Sequence, residues 1–209
     1  MNDVKKIEQI KEILQTQDYT KNFEVVSLAL SVRDEEDRDL YLLDTIRWLI
    51  KNGIWQKSYG AAQLMSESYE KSEALQTIAD YLASIGHLEK AISVFAEAEK
   101  EASVKTLSEW QQAELLHSIA KSLRRIKADF RADEIWAKAV AIAQKGEKSS
   151  NSQESADCSG VLAEIAENFA AEEKIEKALS IARNIENIDR RERVLRHISE
   201  YSQQIKRVA

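Results

Sequence analysis

"SIGHLEKAISVF", residues Ser84–Phe95, sets one of only five glycines between two apolar patterns of helical period, in a chain of 209 residues without proline. Leu82, Ala79, Ile78 and Leu75 stand 4, 7, 8 and 11 residues before Gly86, one stripe of a helix with 3.6 residues per turn. Leu88, Ala91, Val94, Phe95 and Ala98 stand 2, 5, 8, 9 and 12 residues after it, a second stripe. The spacing predicts two helices joined at Gly86. Glycine tolerates the left-handed conformation that ends the first, and the alanines at 7 before and 5 after let the two backbones approach.

The same offsets recur without adjustment. Around Lys127 they find Leu123, Ala120, Ile119 and Leu116, then Ala132, Ile135, Trp136 and Ala139. Around Glu173 they find Phe169, Ala166, Ile165 and Leu162, then Ala178, Ile181, Ala182 and Ile185. Gly53 fits less well, with Leu49, Ile46 and Leu42 before it and Trp55, Ala61, Ala62 and Met65 after. A weaker match centres on Asp18, with Ile7, Ile10 and Leu14 before and Val26 and Leu30 after; Lys11 and Phe23 take its small positions. Leu195, Ile198 and Ile205 match a first helix alone. The leading residues Ile7, Leu42, Leu75, Leu116, Leu162 and Leu195 are separated by 35, 33, 41, 46 and 33 residues. The two long intervals read as insertions between pairs. One contains Ser108 and Gln111 at the spacing of a capping box. The other, "GEKSSNSQESADCSG" at 146–160, is serine-rich and reads as a flexible polar loop.

A repeat of about 34 residues, made of two helices with small residues at fixed offsets, resembles the tetratricopeptide repeat (TPR). The small positions are Ala79, Ala120 and Ala166 on first helices and Ala91, Ala132 and Ala178 on second helices. The resemblance covers residues 40 to 209 well and the first 38 poorly, and it departs in lacking junction prolines. It implies an all-α protein, an α-solenoid of antiparallel helix pairs, about five of them, closed by a C-terminal capping helix. Residues 1–38 would form a degenerate pair, and 39–209 the array with its inserted loop at 146–160. Such arrays offer an extended concave surface lined by first helices. By resemblance, residues about 10, 6, 3 and 2 before each turn face it. Arg47 and Lys51 are such residues in one pair; His117, Lys121, Arg124 and Arg125 are the full set in another.

Four groups that are basic or able to become so, on one helix of an acidic protein, point to recognition of an acidic peptide or chain terminus, because arginine grips carboxylates bidentately. The alternative is a solvated basic face. The lysine and asparagine clamp with which some members of the family hold chaperone tails is not present. Pentatricopeptide RNA binders share nearly the same helix-pair spacing, so RNA binding is the alternative function. Their base-reading pattern of small polar residues is not visible at Leu43 and Asp44, Gln76 and Thr77, His117 and Ser118, or Ala163 and Glu164.

Composition narrows the choice. Thirty basic against 36 acidic residues leave a net charge of −6, which disfavours nucleic acid as partner. The longest apolar run, Ala139–Ala143, is far short of the roughly 20 residues that span a bilayer, and the start "MNDVKKIEQI" has no signal-peptide centre. A cytoplasmic, monomeric protein is expected. His87, His117 and His197 stand in different pairs, Cys158 has no metal partner at ligand spacing, and no phosphate loop or nucleophile elbow occurs. The reading is a non-catalytic scaffold, adaptor or chaperone-like regulator without cofactor or metal. In the C-terminal segment, Arg183, Arg190, Arg191, Arg193 and Arg196 alternate with Glu186, Asp189 and Glu192, which suggests surface ion pairs on a cap.

Overall fold

The computed structural model describes residues 2–16 and 19–208, without the side chains of Tyr19 and of residues 204–208. Among the described residues the chain is all α, with no strand. The helices are α1 (Asp3–Gln15), α2 (Asn22–Leu30), α3 (Glu35–Lys51), α4 (Trp55–Ala62), α5 (Ser68–Ser84), α6 (Leu88–Ala102), α7 (Glu109–Arg125), α8 (Asp129–Gly146), α9 (Ser152–Ala171), α10 (Ile175–Arg183) and α11 (Ile188–Val208). They form two compact units, Met1–Val104 and Lys105–Ala209. The α1–α2 pair lies in the first of these units, which runs on through α6.

The expected turn centres are the residues that adopt positive φ among those described: Gly53 (76°), Gly86 (86°), Lys127 (62°) and Glu173 (62°). Two hydrogen bonds close each of them in the same way. The N–H after the turn residue returns to the carbonyl five residues back: Ile54 to Leu49, His87 to Leu82, Ala128 to Leu123 and Lys174 to Phe169, at 2.9–3.0 Å. The turn residue itself donates to Ile50, Ala83, Arg124 and Ala170 respectively, also at 2.9–3.0 Å. This is the Schellman termination, and it satisfies carbonyls the helix end would otherwise leave open. The alanines expected at the close approach of three pairs, Ala79 and Ala91, Ala120 and Ala132, and Ala166 and Ala178, are all fully buried.

Lysine and glutamate hold the left-handed conformation at Lys127 and Glu173 against the steric cost of a Cβ. Lys127→Gly is accordingly expected to raise stability by about 0.5–1 kcal/mol, the relief of that strain less the greater chain entropy that glycine loses. Gly86→Ala should shift the urea midpoint the other way. A Lys127→Gly midpoint at or below wild type would show that the turn carries no such strain.

A buried polar residue fourteen residues before three of the four turns was not evident from the pattern; before Lys127 the position holds Ala113. The three are Asp39, Ser72 and Ser159. The Asp39 carboxylate accepts the N–H groups of Ser66 and Glu67 at 2.5 and 2.7 Å, in the link that leads into α5. Ser72 donates to the Ala98 carbonyl at 2.9 Å, and Ser159 donates to the Glu147 carboxylate. Asp39 ties its helix to the link that follows the pair, Ser72 ties its helix to the second helix of the pair, and Ser159 ties α9 back to the end of α8.

Three expectations are corrected. Residues 146–160 are not a loop. Helix α8 runs through Gly146, Asn151 caps α9 by accepting from the Gln153 and Glu154 amides at 3.0 and 3.3 Å, and residues 152–160 are helical. Cys158 and Ser159 are buried, and a Cβ at Gly146 would overlap Cys158 Sγ and stand 2.8 Å from Glu109 Cβ. The glycine marks a close helix contact, and the serines lie on a packed face. Glu147, 4% exposed, also accepts from the Glu186 amide at 3.1 Å. Burial pushes its carboxyl pKa up, against the hydrogen bonds from Ser159 and Glu186.

The long intervals are taken up mainly by helix. α4 and α10 have 8 and 9 residues, whereas α6 and α8 have 15 and 18, and α9 with 20 residues starts earlier relative to its turn than the other first helices. At the N-terminus the register differs from the expected one: Ile10, Ile13, Val25 and Ala29 are buried, while Ile7, Leu14, Val26 and Leu30 are only half-buried. Asp18 lies outside the described residues. On α11, Val194 and Ile198 are buried and Leu195 is half-buried; Arg196, Glu200 and Gln203 are exposed as expected. The side chains of Gln204 and Ile205 lie outside the described residues. Arg190 and Arg191 bond the carbonyls of Ala156 and Ile185 at 2.9 and 3.0 Å instead of neighbouring carboxylates.

Candidate interaction surface

In the C-terminal unit the expected basic row of α7 divides into two kinds of residue. Lys121 and Arg125 are exposed, and Arg125 Nη2 donates to Ser122 Oγ at 2.8 Å. His117 and Arg124 turn inward.

Arg124 lies 5.1 Å from the Trp136 ring centroid, a cation–π arrangement. Its Nη1 donates to Asp129 at 2.8 Å, its Nη2 to Asp133, and its Nε stands 2.9 Å from Glu172. Lys177 and Lys174 reach the same Asp133 at 2.9 and 3.5 Å, and Lys174 also reaches Glu172 at 2.9 Å. Three cations from α7 and the start of α10 thus meet three carboxylates from α8 and the α9–α10 turn. Burial works against the Arg124 charge, but the hydrogen bond to Asp129 and the charges of Glu172 and Asp133 outweigh it and raise the pKa. Asp133 is moved the opposite way: burial resists, and Lys177, Arg124 and Lys174 together lower its pKa. Arg124 is therefore a structural cation with its partners in place.

His117 is 4% exposed, inside rather than on the surface. Trp136 Nε1 donates to its Nδ1 at 3.0 Å, which leaves the ring proton on Nε2. Trp136 in turn packs against Phe169 with centroids 4.9 Å apart. Glu164 Oε2 stands 3.4 Å from Nε2 and would favour an imidazolium, but its side chain is 65% exposed and water screens it. Burial, with the Lys121 charge as second cause, prevails and pushes the His117 pKa down to about 4.

The sign of the pH effect follows. The unfolded ring accepts a proton near 6.5 and the folded ring only near 4, so the stabilisation is complete above pH 6.5 and is lost as pH falls toward 4. The displacement corresponds to about 3 kcal/mol. Urea titrations of wild type and His117→Gln are expected to diverge across this window, with the wild type falling more steeply. Parallel pH profiles would contradict a neutral buried ring.

In the N-terminal unit Arg47 is half-exposed and already paired, to Asp44 at 3.2 Å and to Glu73. Lys51 is exposed at the end of α3. Sequence reasoning missed the partners because they come from other helices: Glu73 from α5, Asp129 and Asp133 from α8, Glu172 from the α9–α10 turn.

Two of the shallow clefts in the C-terminal unit are the more apolar ones. One, about 290 Å³, lies between α9 and α11 and is lined by Glu167, Ala170, His197, Ile198, Glu200 and Tyr201. The other, about 310 Å³, lies between α8 and α10 over Trp136 and Phe169, with Ala137, Val140, Ala141 and Ile181 on its walls. Among the described residues no group of three or more His, Cys, Asp or Glu is placed to hold a metal ion, and no helix is long and apolar enough to cross a membrane.

The fold is similar to that in the crystal structure of Ton1535 from Thermococcus onnurineus NA1, with a TM-score of 0.57 and 18% sequence identity. The match covers 93% of this chain and 57% of that one, so the chain spans little more than half the length of the protein it resembles. No family model and no curated protein matches the sequence.

Proposed function

We propose that the chain is a TPR-like interaction module, an α-solenoid of antiparallel helix pairs that holds an acidic segment of a partner protein against its first helices and carries no chemistry of its own. The observation that carries this reading is the recurrence of one turn geometry at Gly53, Gly86, Lys127 and Glu173, with close-packed alanines at fixed offsets in three of the pairs. A repeat of this kind leaves one face of each first helix outward, and repeat arrays use that face for binding. On α7 the exposed basic residues that this reading sets against the acidic segment are Lys121 and Arg125. Arg124 and His117 serve the interior.

The test is a double reversal, Lys121→Glu with Arg125→Glu, in the full chain. Exposed substitutions usually move stability by no more than about 0.5 kcal/mol each, so the melting curve is expected to stay near wild type. Capture of the cellular partner should fall by about an order of magnitude and lose its salt dependence, since exposed charge pairs are screened over roughly 8 Å at physiological ionic strength. Undiminished capture by the folded double variant would remove α7 from the binding face.

A further inference from the structure

Asn52–Gly53 is the one asparagine–glycine pair in the sequence, and it stands at the left-handed turn between α3 and α4. Glycine after asparagine leaves the main-chain nitrogen unhindered toward the asparagine side chain. In the folded N-terminal unit both reacting groups are tied down. Gly53 N donates to the Ile50 carbonyl at 3.0 Å, and Asn52 Nδ2 donates to the Trp48 carbonyl at 2.7 Å. Asn52 lies at φ −103° and ψ 10°, which eclipses the Gly53 nitrogen with Asn52's own nitrogen and holds it away from Cγ. Closing a five-membered ring needs ψ to leave this region, which breaks both Schellman hydrogen bonds. Space is also limited: a Cβ at Gly53 would stand 3.3 Å from the Tyr81 hydroxyl of α5.

We propose that Asn52–Gly53 is a site of spontaneous deamidation that the folded α3–α4 turn keeps closed and that opening of the turn releases. In the reaction the Gly53 nitrogen gives its proton to solvent base and bonds to Asn52 Cγ. The Cγ–Nδ2 bond breaks and ammonia leaves. Water then opens the resulting succinimide at either carbonyl, giving aspartate or isoaspartate, with no change of oxidation state. Isoaspartate adds a backbone carbon between Cα of residue 52 and Gly53. Gly53 N–H and Ile54 N–H then no longer reach the carbonyls of Ile50 and Leu49 together, so the isoaspartate form of the chain does not rebuild the turn. Opening of this one turn thus becomes an irreversible mark on the chain.

The experiment incubates the purified full chain at mildly alkaline pH, with and without urea, and follows each asparagine by peptide mass mapping. Asn151, in the exposed link before α9, serves as internal reference. In urea Asn52 is expected to react first. In the native protein it should react at least about tenfold more slowly, by the fraction of time the turn is open. Leu49→Ala, which hollows the buried side of the turn, should raise the native rate. Equal rates with and without urea overturn the proposal. So does the absence of product at Asn52 in urea, or a Leu49→Ala rate equal to wild type.

Discussion

Replacing Trp136 by alanine is expected to destabilise the C-terminal unit by about 3–5 kcal/mol. The side chain is 1% exposed and joins three helices: it packs on Phe169 of α9, donates to His117 of α7, and lies beneath Arg124. Truncation leaves a cavity, an imidazole without its donor, and a cation without its platform. Native-state hydrogen exchange should show lost protection across α7, α8 and α9. Trp136→Phe keeps most of the volume and gives up the N–H, so its cost should be nearer that of one hydrogen bond, about 1 kcal/mol. If alanine and phenylalanine cost the same, the contact with His117 and not the packing dominates.

The second large effect is expected at Asp39. Its carboxylate is wholly buried, accepts two main-chain N–H groups and pairs with Arg38 Nε at 3.2 Å. Glu67, the N-cap residue of α5, makes no side-chain cap of its own, so Asp39 supplies from α3 the acceptor that the helix start lacks. Asp39→Ala takes the acceptor from two main-chain donors and leaves Arg38 with only Ser66 and Glu35, at a cost of about 3 kcal/mol. Asp39→Asn retains an acceptor oxygen and should cost less. An urea midpoint of Asp39→Ala within error of wild type would mean that water or other groups take over the link.

The helix pairs were legible in the sequence because each turn sits between two apolar stripes, and because alanine at a contact position leaves a trace that a charged surface residue does not. Lys127 and Glu173 were found by their distance from Ala120, Ala132, Ala166 and Ala178, where composition alone would have shown no turn. The link 146–160 was misread for the converse reason. Serine, cysteine and glycine are small enough to pack between helices, and a composition rule counts them as loop. The clue that could have corrected it is the set Gln153, Glu154 and Ala156, good helix formers that begin two residues after the N-cap residue Asn151.

The candidate surface was half legible. Which residues lie on α7 follows from periodicity. Whether a cation meets water or a carboxylate depends on what α8, α9 and α10 bring opposite it, and that is set by tertiary packing. His117 shows the limit most plainly: its position lies beside the apolar stripe, and the indole N–H of Trp136, nineteen residues on, draws the ring inward.

The unequal second helices have a consequence for how such a chain can lengthen. An α-helix turns through 3.6 residues. Helix α6 is 7 residues longer than α4, close to two whole turns. Growth in such steps returns the chain at the far end of the helix with nearly the same rotational phase. Extra sequence of that length is absorbed along the helix axis, and the residue that leaves the helix still faces the side from which the shorter helix would release it.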